Sequence, residues 1–159
     1  MNFKICHFND LTVVELYRLL ALRQAVFVVE QNCAYLDCDD KDLHSWHVLC
    51  TNEANELLAY CRLLPPRLAY PDYDDVSIGR VISSAAARNT GAGRAMMQKA
   101  MEVLPTIFPI LEKPNNGLQV RIGAQSYLLR FYESFGFRST GKTYLEDGIP
   151  HTEMICIIS

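Results

Sequence analysis

Nowhere in these 159 residues is there a run of about 18 apolar side chains, the length a membrane-spanning helix needs, although half of the residues are apolar. Clustered lysine or arginine is also missing and the formal charge is −3, which argues against nucleic acid or an anionic membrane surface as the main partner. The opening "MNFKICHFND" lacks the apolar stretch of a secretory signal, so a cytoplasmic location is expected. Paired CxxC spacing is absent from the six cysteines, Cys6, Cys33, Cys38, Cys50, Cys61 and Cys156. Scattered as they are, several inside strand-like runs, they read as reduced core thiols and not as a disulfide framework or a zinc site. The acidic run "DCDDKD" lacks the loop glycine and the twelfth-position glutamate of a calcium-binding EF-hand, so no metal is expected. What these absences leave is one compact domain, residues 1–159, with a sizeable core and a small-molecule or peptide partner.

Local patterns then order the elements. "NFKICHF" reads as a first strand, and "DLTVVELYRLLALRQAVFVVEQ" as a long amphipathic helix ending near Glu30. Its start carries a capping box of Thr12 and Glu15, and Val13, Leu16, Leu20 and Phe27 fall near one face. "NCAYLDCDDKDLHSW" has no period and is a loop; "HVLCTN" and "ELLAYCRLL" form a hairpin closed by Pro65 and Pro66. "DDVSIGRVIS" is the fourth strand, and Arg94 to Leu104 a helix that Pro105 stops. A surface connection with Pro109, Pro114, Asn115, Asn116 and Gly117 precedes the strand "LQVRIGA". "SYLLRFYESFG" is a short helix with Ser126 as N-cap and Gly136 at its end, and "FRSTGKTYLE", "DGIP" and "HTEMICIIS" give a closing β-pair. Hairpins mixed with crossovers call for a mixed α/β sheet covered by helices.

The stretch "ARNTGAGRAMM" joins the fourth strand to a helix through Gly91 and Gly93. Unpaired N–H groups at a helix start, helped by the helix dipole, attract an anion, and Arg88 and Arg94 add charge. A tight strand-to-helix turn would ask for the same glycines on dihedral grounds alone. Two nucleotide loops are excluded by spacing: a dinucleotide fingerprint needs a small residue at Met96, and a P-loop needs Lys and Ser or Thr after the glycine.

"R-N-T-G-A-G" resembles the R-x-x-G-x-G motif of the GCN5-related N-acetyltransferase (GNAT) superfamily, in the position where that family carries it. "FYESFGF" and the element order agree over essentially the whole chain, and "LRQAVFVVEQNCAYLDCDD", "IGRV" and "YLEDGIPH" resemble its small ElaA-like branch. The resemblance implies a mixed, mostly antiparallel sheet of about seven strands flanked by about four helices and splayed between the fourth and fifth strands. It implies acetyl-CoA as co-substrate and direct attack by an acceptor amine, without a metal. On the resemblance, main-chain groups from Arg88, Asn89, Thr90, Gly91, Ala92, Gly93 and Arg94 hold the pyrophosphate. Val81, Ile82 and Ser83 pair with the pantetheine arm, a backbone N–H near Val81 or Ile82 polarises the carbonyl, and Gln125 stands where many relatives have a cofactor-contacting asparagine.

Tyr132 occupies the place of the tyrosine that serves the leaving thiolate in that family; core packing on the Leu128–Phe135 face is its other reading. The glutamate that many relatives carry on the fourth strand is missing from "SIGRVIS". His151 is therefore the leading candidate base, since an ordinary imidazole titrates near pH 6.5, with Glu30 second and His47 third. The acceptor groove implied by the family lies between the loop holding Glu30, Asp37, Asp39, Asp40 and Asp42 and the loop holding Glu146, Asp147 and His151, with Arg80 and His47 beside it; two acidic loops would favour a cationic amine. The expected activity is acetyl transfer to a primary amine, the alternative a non-catalytic acyl-CoA-binding domain of the same fold. An exposed C-terminal edge strand points to a homodimer.

Overall fold

The computed structural model describes residues 1–109 and 117–159. Its elements run β1 (Asn2–His7), α1 (Val13–Arg23), β2 (Trp46–Thr51), β3 (Leu57–Leu64), β4 (Val76–Ser83), α2 (Ala92–Ile107), β5 (Leu118–Gln125), α3 (Leu129–Glu133), β6 (Arg138–Glu146) and β7 (Ile149–Ile158). They form one seven-stranded sheet in the order β1-β2-β3-β4-β5-β7-β6. Every neighbouring pair is antiparallel except β4 and β5, which run parallel and are paired only at Val76↔Val120 and Ser77↔Arg121. Beyond Ser77 the two strands part.

Both faces of the central strands are covered, which is why β2 and β3 read as near-continuous apolar runs. A strand sends successive side chains to opposite faces. Val48, Cys50, Cys61 and Leu63 accordingly join Met96, Met97, Ala100 and Leu104 of α2 in the main core, whereas Leu49, Tyr60 and Ile82 pack with Leu19 of α1 on the other side. Full burial of one such leucine is worth about 1.5–3 kcal/mol, so these faces fix the helices. All six cysteines are unpaired thiols.

Four local expectations are corrected. The capping box of Thr12 and Glu15 forms, but α1 ends at Arg23 and the chain continues as a π-helical turn, Gln24–Glu30. Val13, expected on the inner face, is 85 % exposed, and Leu19 is the residue of α1 that the core buries completely. Pro105 lies inside α2, not after it. A proline ring costs a helix one hydrogen bond; here Phe108 N–H still donates to the Leu104 carbonyl, and Val103, Ile107 and Phe108 pack on the core and hold the last turn. Ser126 caps nothing; its hydroxyl bonds that of Thr152 on β7, and a 3-10 turn leads into α3. Of the expected surface connection, Pro114, Asn115 and Asn116 lie outside the described residues. Among the described residues no helix is long and apolar enough to cross a membrane.

Candidate functional site

The gap between β4 and β5 opens into a cleft of about 1300 Å³. Its walls come from the π-helical turn, β4, the end of β5, α3, and the β6–β7 hairpin. A second hollow of about 470 Å³, lined by Ser83, Arg88, Asn89, Gly91, Gly93, Arg94 and Phe131, adjoins it at the head of α2.

At that head the two glycines have different reasons to be there. Gly91 is left-handed (φ 88°) with open space where a Cβ would stand, whereas a Cβ on Gly93 would come 2.7 Å from Ser83 Oγ. Gly93 thus lets α2 close onto the end of β4. Asn89 is also left-handed (φ 62°), a conformation asparagine tolerates and glycine tolerates better. Among the described residues no acceptor takes the N–H of Asn89, Gly91, Gly93 or Arg94, while Thr90 N–H donates to Ala87 O and Ala92 N–H to the Thr90 hydroxyl. Free N–H groups converge on one hollow, the arrangement an anion requires. The two arginines are tied elsewhere: Arg88 Nη2 lies 2.6 Å from Glu30 Oε2, and Arg94 bonds Ser134 Oγ at 2.9 Å with its guanidinium over the Phe135 ring.

Val81, Ile82 and Ser83 follow a bulge in β4, where Arg80 takes φ 54°. Strain of that kind in a non-glycine residue persists only where its surroundings hold it. Here Arg80 Nε donates to Asp37 Oδ1 (2.7 Å) and Nη2 to the Asp37 carbonyl (3.0 Å), and the guanidinium sits 5.8 Å from the ring centres of both Phe27 and Tyr35. Past Ser77, β4 has no partner strand on its β5 side.

Tyr132 stands on α3 with 6 % of its surface exposed, edge-on to Phe131 and Phe137, yet it lines the cleft. The ring is packed in the core, and the residue still borders the cleft. Burial pushes its phenol well above the ordinary tyrosine value, with Cys61 and Tyr127 adding to the shift, so it keeps its proton. His151, on β7 and 8 % exposed, also lines the cleft. Its Nδ1 is 2.7 Å from the Ile149 carbonyl, which can only accept, so Nδ1 carries a hydrogen and Nε2, 3.6 Å from Glu146 Oε2, is the ring nitrogen that can take up or release one.

Other expected site residues have different employment. His47 is fully buried and does not line the cleft: it bonds the Tyr60 hydroxyl (2.7 Å) and the Asp42 carbonyl (3.0 Å), and burial lowers its basicity. Glu30 reaches the cleft, but its carboxylate holds Arg88. Gln125 and Gln31 bond each other twice, at 3.0 and 3.2 Å, across the cleft. Asp147 accepts the Cys33 thiol at its carbonyl (3.6 Å), leaving its carboxylate on the exposed hairpin beside Glu146.

The aspartate-rich loop is not a free acidic surface. Arg23, 0 % exposed, bonds Asp37 (2.7 Å) and Asp42 (2.6 Å); Arg62 bonds Asp39 (2.6 Å) and Asp42 (2.9 Å); Arg80 bonds Asp37. Three arginines thereby neutralise three aspartates in one network. A second network on the opposite wall joins Glu153, 5 % exposed, to Arg121 (2.8 Å) and Thr140 (3.0 Å), with Asp75 on the other side of Arg121 (2.8 Å). Arg62, Tyr70, Tyr144 and Glu153 all line the cleft and none was singled out from the sequence. The available signal was a charged residue in the middle of an apolar strand, as in "YCRLL" and "HTEMIC". Among the described residues no group of His, Cys, Asp and Glu could hold a metal ion.

Comparison with known proteins agrees with this geometry. The protein ElaA of Escherichia coli is 45 % identical over 150 residues, 93 % of this chain and 91 % of that protein. The crystal structure of E. coli ElaA superposes with a TM-score of 0.84 at 40 % identity, covering 98 % of this chain and 99 % of the other. That of an acyl-CoA N-acyltransferase from Pseudomonas aeruginosa also superposes with a TM-score of 0.84, at 38 % identity and the same coverage. Residues 44–158 match the family described as acetyltransferase (GNAT) domain. With the parallel β4–β5 pair at the splay and relatives of this closeness, the chain belongs to the GNAT acetyltransferase family.

Proposed function

We propose that this chain, acting as one domain, transfers the acetyl group of acetyl-CoA to a primary amine by direct attack. The observation that carries the reading is the cleft with its adjoining hollow: their linings extend from the unpaired N–H groups at the head of α2, along the free edge of β4, to Tyr132 and His151. The loop from Arg88 to Arg94 receives the pyrophosphate, and the β4 edge at Val81, Ile82 and Ser83 receives the pantetheine as an added strand, with a backbone N–H there polarising the thioester carbonyl. Acetyl-CoA supplies an activated acyl carbon. The amine nitrogen bonds to it while the carbon–sulfur bond breaks with its electron pair going to sulfur. Tyr132 supplies the proton to the departing thiolate, and His151 Nε2 takes the proton that the amine sheds.

Acidic charge left for a cationic acceptor sits on the hairpin at Glu146 and Asp147, because the aspartates across the cleft are spent on arginines. Arg88 gives Nη2 to Glu30 and keeps the other N–H groups of its guanidinium for phosphate. Calorimetric titration with acetyl-CoA, with ATP as control, tests the reading. Saturable binding of acetyl-CoA without an ATP response, followed by amine-dependent release of free thiol, is expected. No binding at millimolar acetyl-CoA rejects it, and binding without thiol release from any amine leaves the acyl-CoA-binding domain as the function.

A further inference from the structure

Two tyrosine hydroxyls meet over a glycine where the splay begins. β4 and β5 are last paired at Ser77 and Arg121, and two residues further along the strands lie Gly79 and Gly123. Gly123 is exposed on the row of β5 that faces the cleft, its neighbours Ile122 and Ala124 being buried on the other face. A Cβ there would overlap the Tyr144 hydroxyl and stand 3.4 Å from that of Tyr70. Glycine at this position is what lets the Tyr144 ring lie across β7 and put its oxygen on the cleft floor. The same ring stacks on its cross-strand partner His151, with centroids 5.5 Å apart and planes 17° from parallel.

The hydroxyls of Tyr70 and Tyr144 both stand against the Cβ position of Gly123, and they interact. Whichever of the two donates, Tyr144 Oη keeps at least one lone pair. Of the acidic groups nearest it, Glu153 is occupied by Arg121 and Thr140, whereas Glu146 stands exposed on the hairpin, 3.6 Å from His151 Nε2. A neutral primary amine that attacks through its lone pair keeps two N–H donors, and each needs an acceptor. Neighbouring side chains on β6 and β7 present two: Tyr144 Oη and His151 Nε2.

We propose that Tyr144, fixed by Tyr70 and by the empty side-chain position of Gly123, orients the acceptor by accepting one N–H of its amine while the other faces His151. The assignment rests on the acetyl-transfer reading but concerns the acceptor half of the cleft alone. It makes the enzyme selective for primary over secondary amines, because an N-methyl amine has one N–H too few.

The test uses the full chain, acetyl-CoA, and spermidine, glucosamine, Nα-acetyl-lysine and a tripeptide with a free N-terminus as amine probes, with thiol release as readout. With the best probe, Tyr144→Phe should lower kcat/KM for the amine about fivefold to tenfold, the worth of one hydrogen bond, leaving acetyl-CoA affinity and melting temperature near wild type. The N-methyl form of that probe should lose a similar factor on the wild type and little more on Tyr144→Phe. Gly123→Ala should reproduce the loss by expelling the hydroxyl, and the double variant should be no worse than Tyr144→Phe, since phenylalanine removes the atom the new methyl meets. An amine kcat/KM within twofold of wild type in Tyr144→Phe, or additive losses in the double variant, overturns the assignment while leaving acetyl transfer standing. Failure to bind acetyl-CoA, or turnover of none of the probes, removes both.

Discussion

Replacing Arg23 by methionine should be the most damaging single change in the buried ion network behind the cleft. Methionine approximates the length of the arginine stem, so the perturbation is chiefly the loss of charge and of three hydrogen bonds: to Asp37 Oδ2 (2.7 Å), to the Asp37 carbonyl (3.0 Å) and to Asp42 Oδ1 (2.6 Å). Asp37 would keep Arg80 and Asp42 would keep Arg62, but three carboxylates would face two guanidinium groups in a place where Arg23 itself is 0 % exposed. Breaking a buried ion pair by removing one partner costs about 3–5 kcal/mol, because an uncompensated charge stays behind. For a chain of this size each kcal/mol moves the melting temperature by about 2–4 °C, so scanning calorimetry at pH 7 should find a drop of roughly 10 °C. Burial alone would raise the Asp42 carboxyl, but Arg23 and Arg62 hold it below the ordinary carboxylate value, so the gap between variant and wild type should narrow as pH falls below about 4. Adding Asp42→Asn restores the balance of charge and should recover part of the loss. A variant within 2 °C of wild type at pH 7, or a double variant less stable than the single one, would refute the network as the source of stability.

Tyr132→Phe should reduce kcat about 100-fold with acetyl-CoA affinity unchanged by calorimetry, as expected when a proton donor is removed from a leaving group; unchanged turnover rejects that role. Gly93→Ala sets a methyl 2.7 Å from Ser83 Oγ and should cost about 1–3 kcal/mol of stability and weaken acetyl-CoA binding, both recovered in part by Ser83→Ala; an acyl-CoA affinity identical to wild type in Gly93→Ala would separate the loop from the ligand. Burial alone would raise the carboxyl of Asp39, but its bonds to Arg62 and the nearby Arg80 outweigh burial and lower it to about 2. A carboxylate whose folded value lies below its unfolded value stabilises the fold above the unfolded value, so chemical denaturation should find stability falling from about pH 4 to pH 2, and Asp39→Asn should flatten that limb.

Element identities were legible because they rest on local pattern. The capping box at Thr12 and Glu15, the two-residue turn after Glu146, and the apolar runs of β2 and β3 each declare themselves within a few residues. Where the reading slipped, a distant partner had decided: Leu19, not Val13, meets Leu49, Tyr60 and Ile82, and Pro105 is carried inside α2 because Val103, Ile107 and Phe108 anchor that turn to the core.

By itself, then, the sequence determined the periodicities, the order of the strands and helices, and a glycine loop opening a helix, since each depends on residues three or four apart. Only the tertiary structure decided what charge the cleft carries. Asp37, Asp39 and Asp42 look like a free acidic loop in one dimension; Arg23, Arg62 and Arg80 lie 14, 23 and 43 positions away from the aspartates they neutralise. Likewise His47 and His151 are indistinguishable as letters, yet one is sealed between Tyr60 and Asp42 and the other offers its ring to the cleft beside Tyr144. Coulombic and hydrogen-bonding energies depend on distance in space, and a chain carries that information only once it has folded.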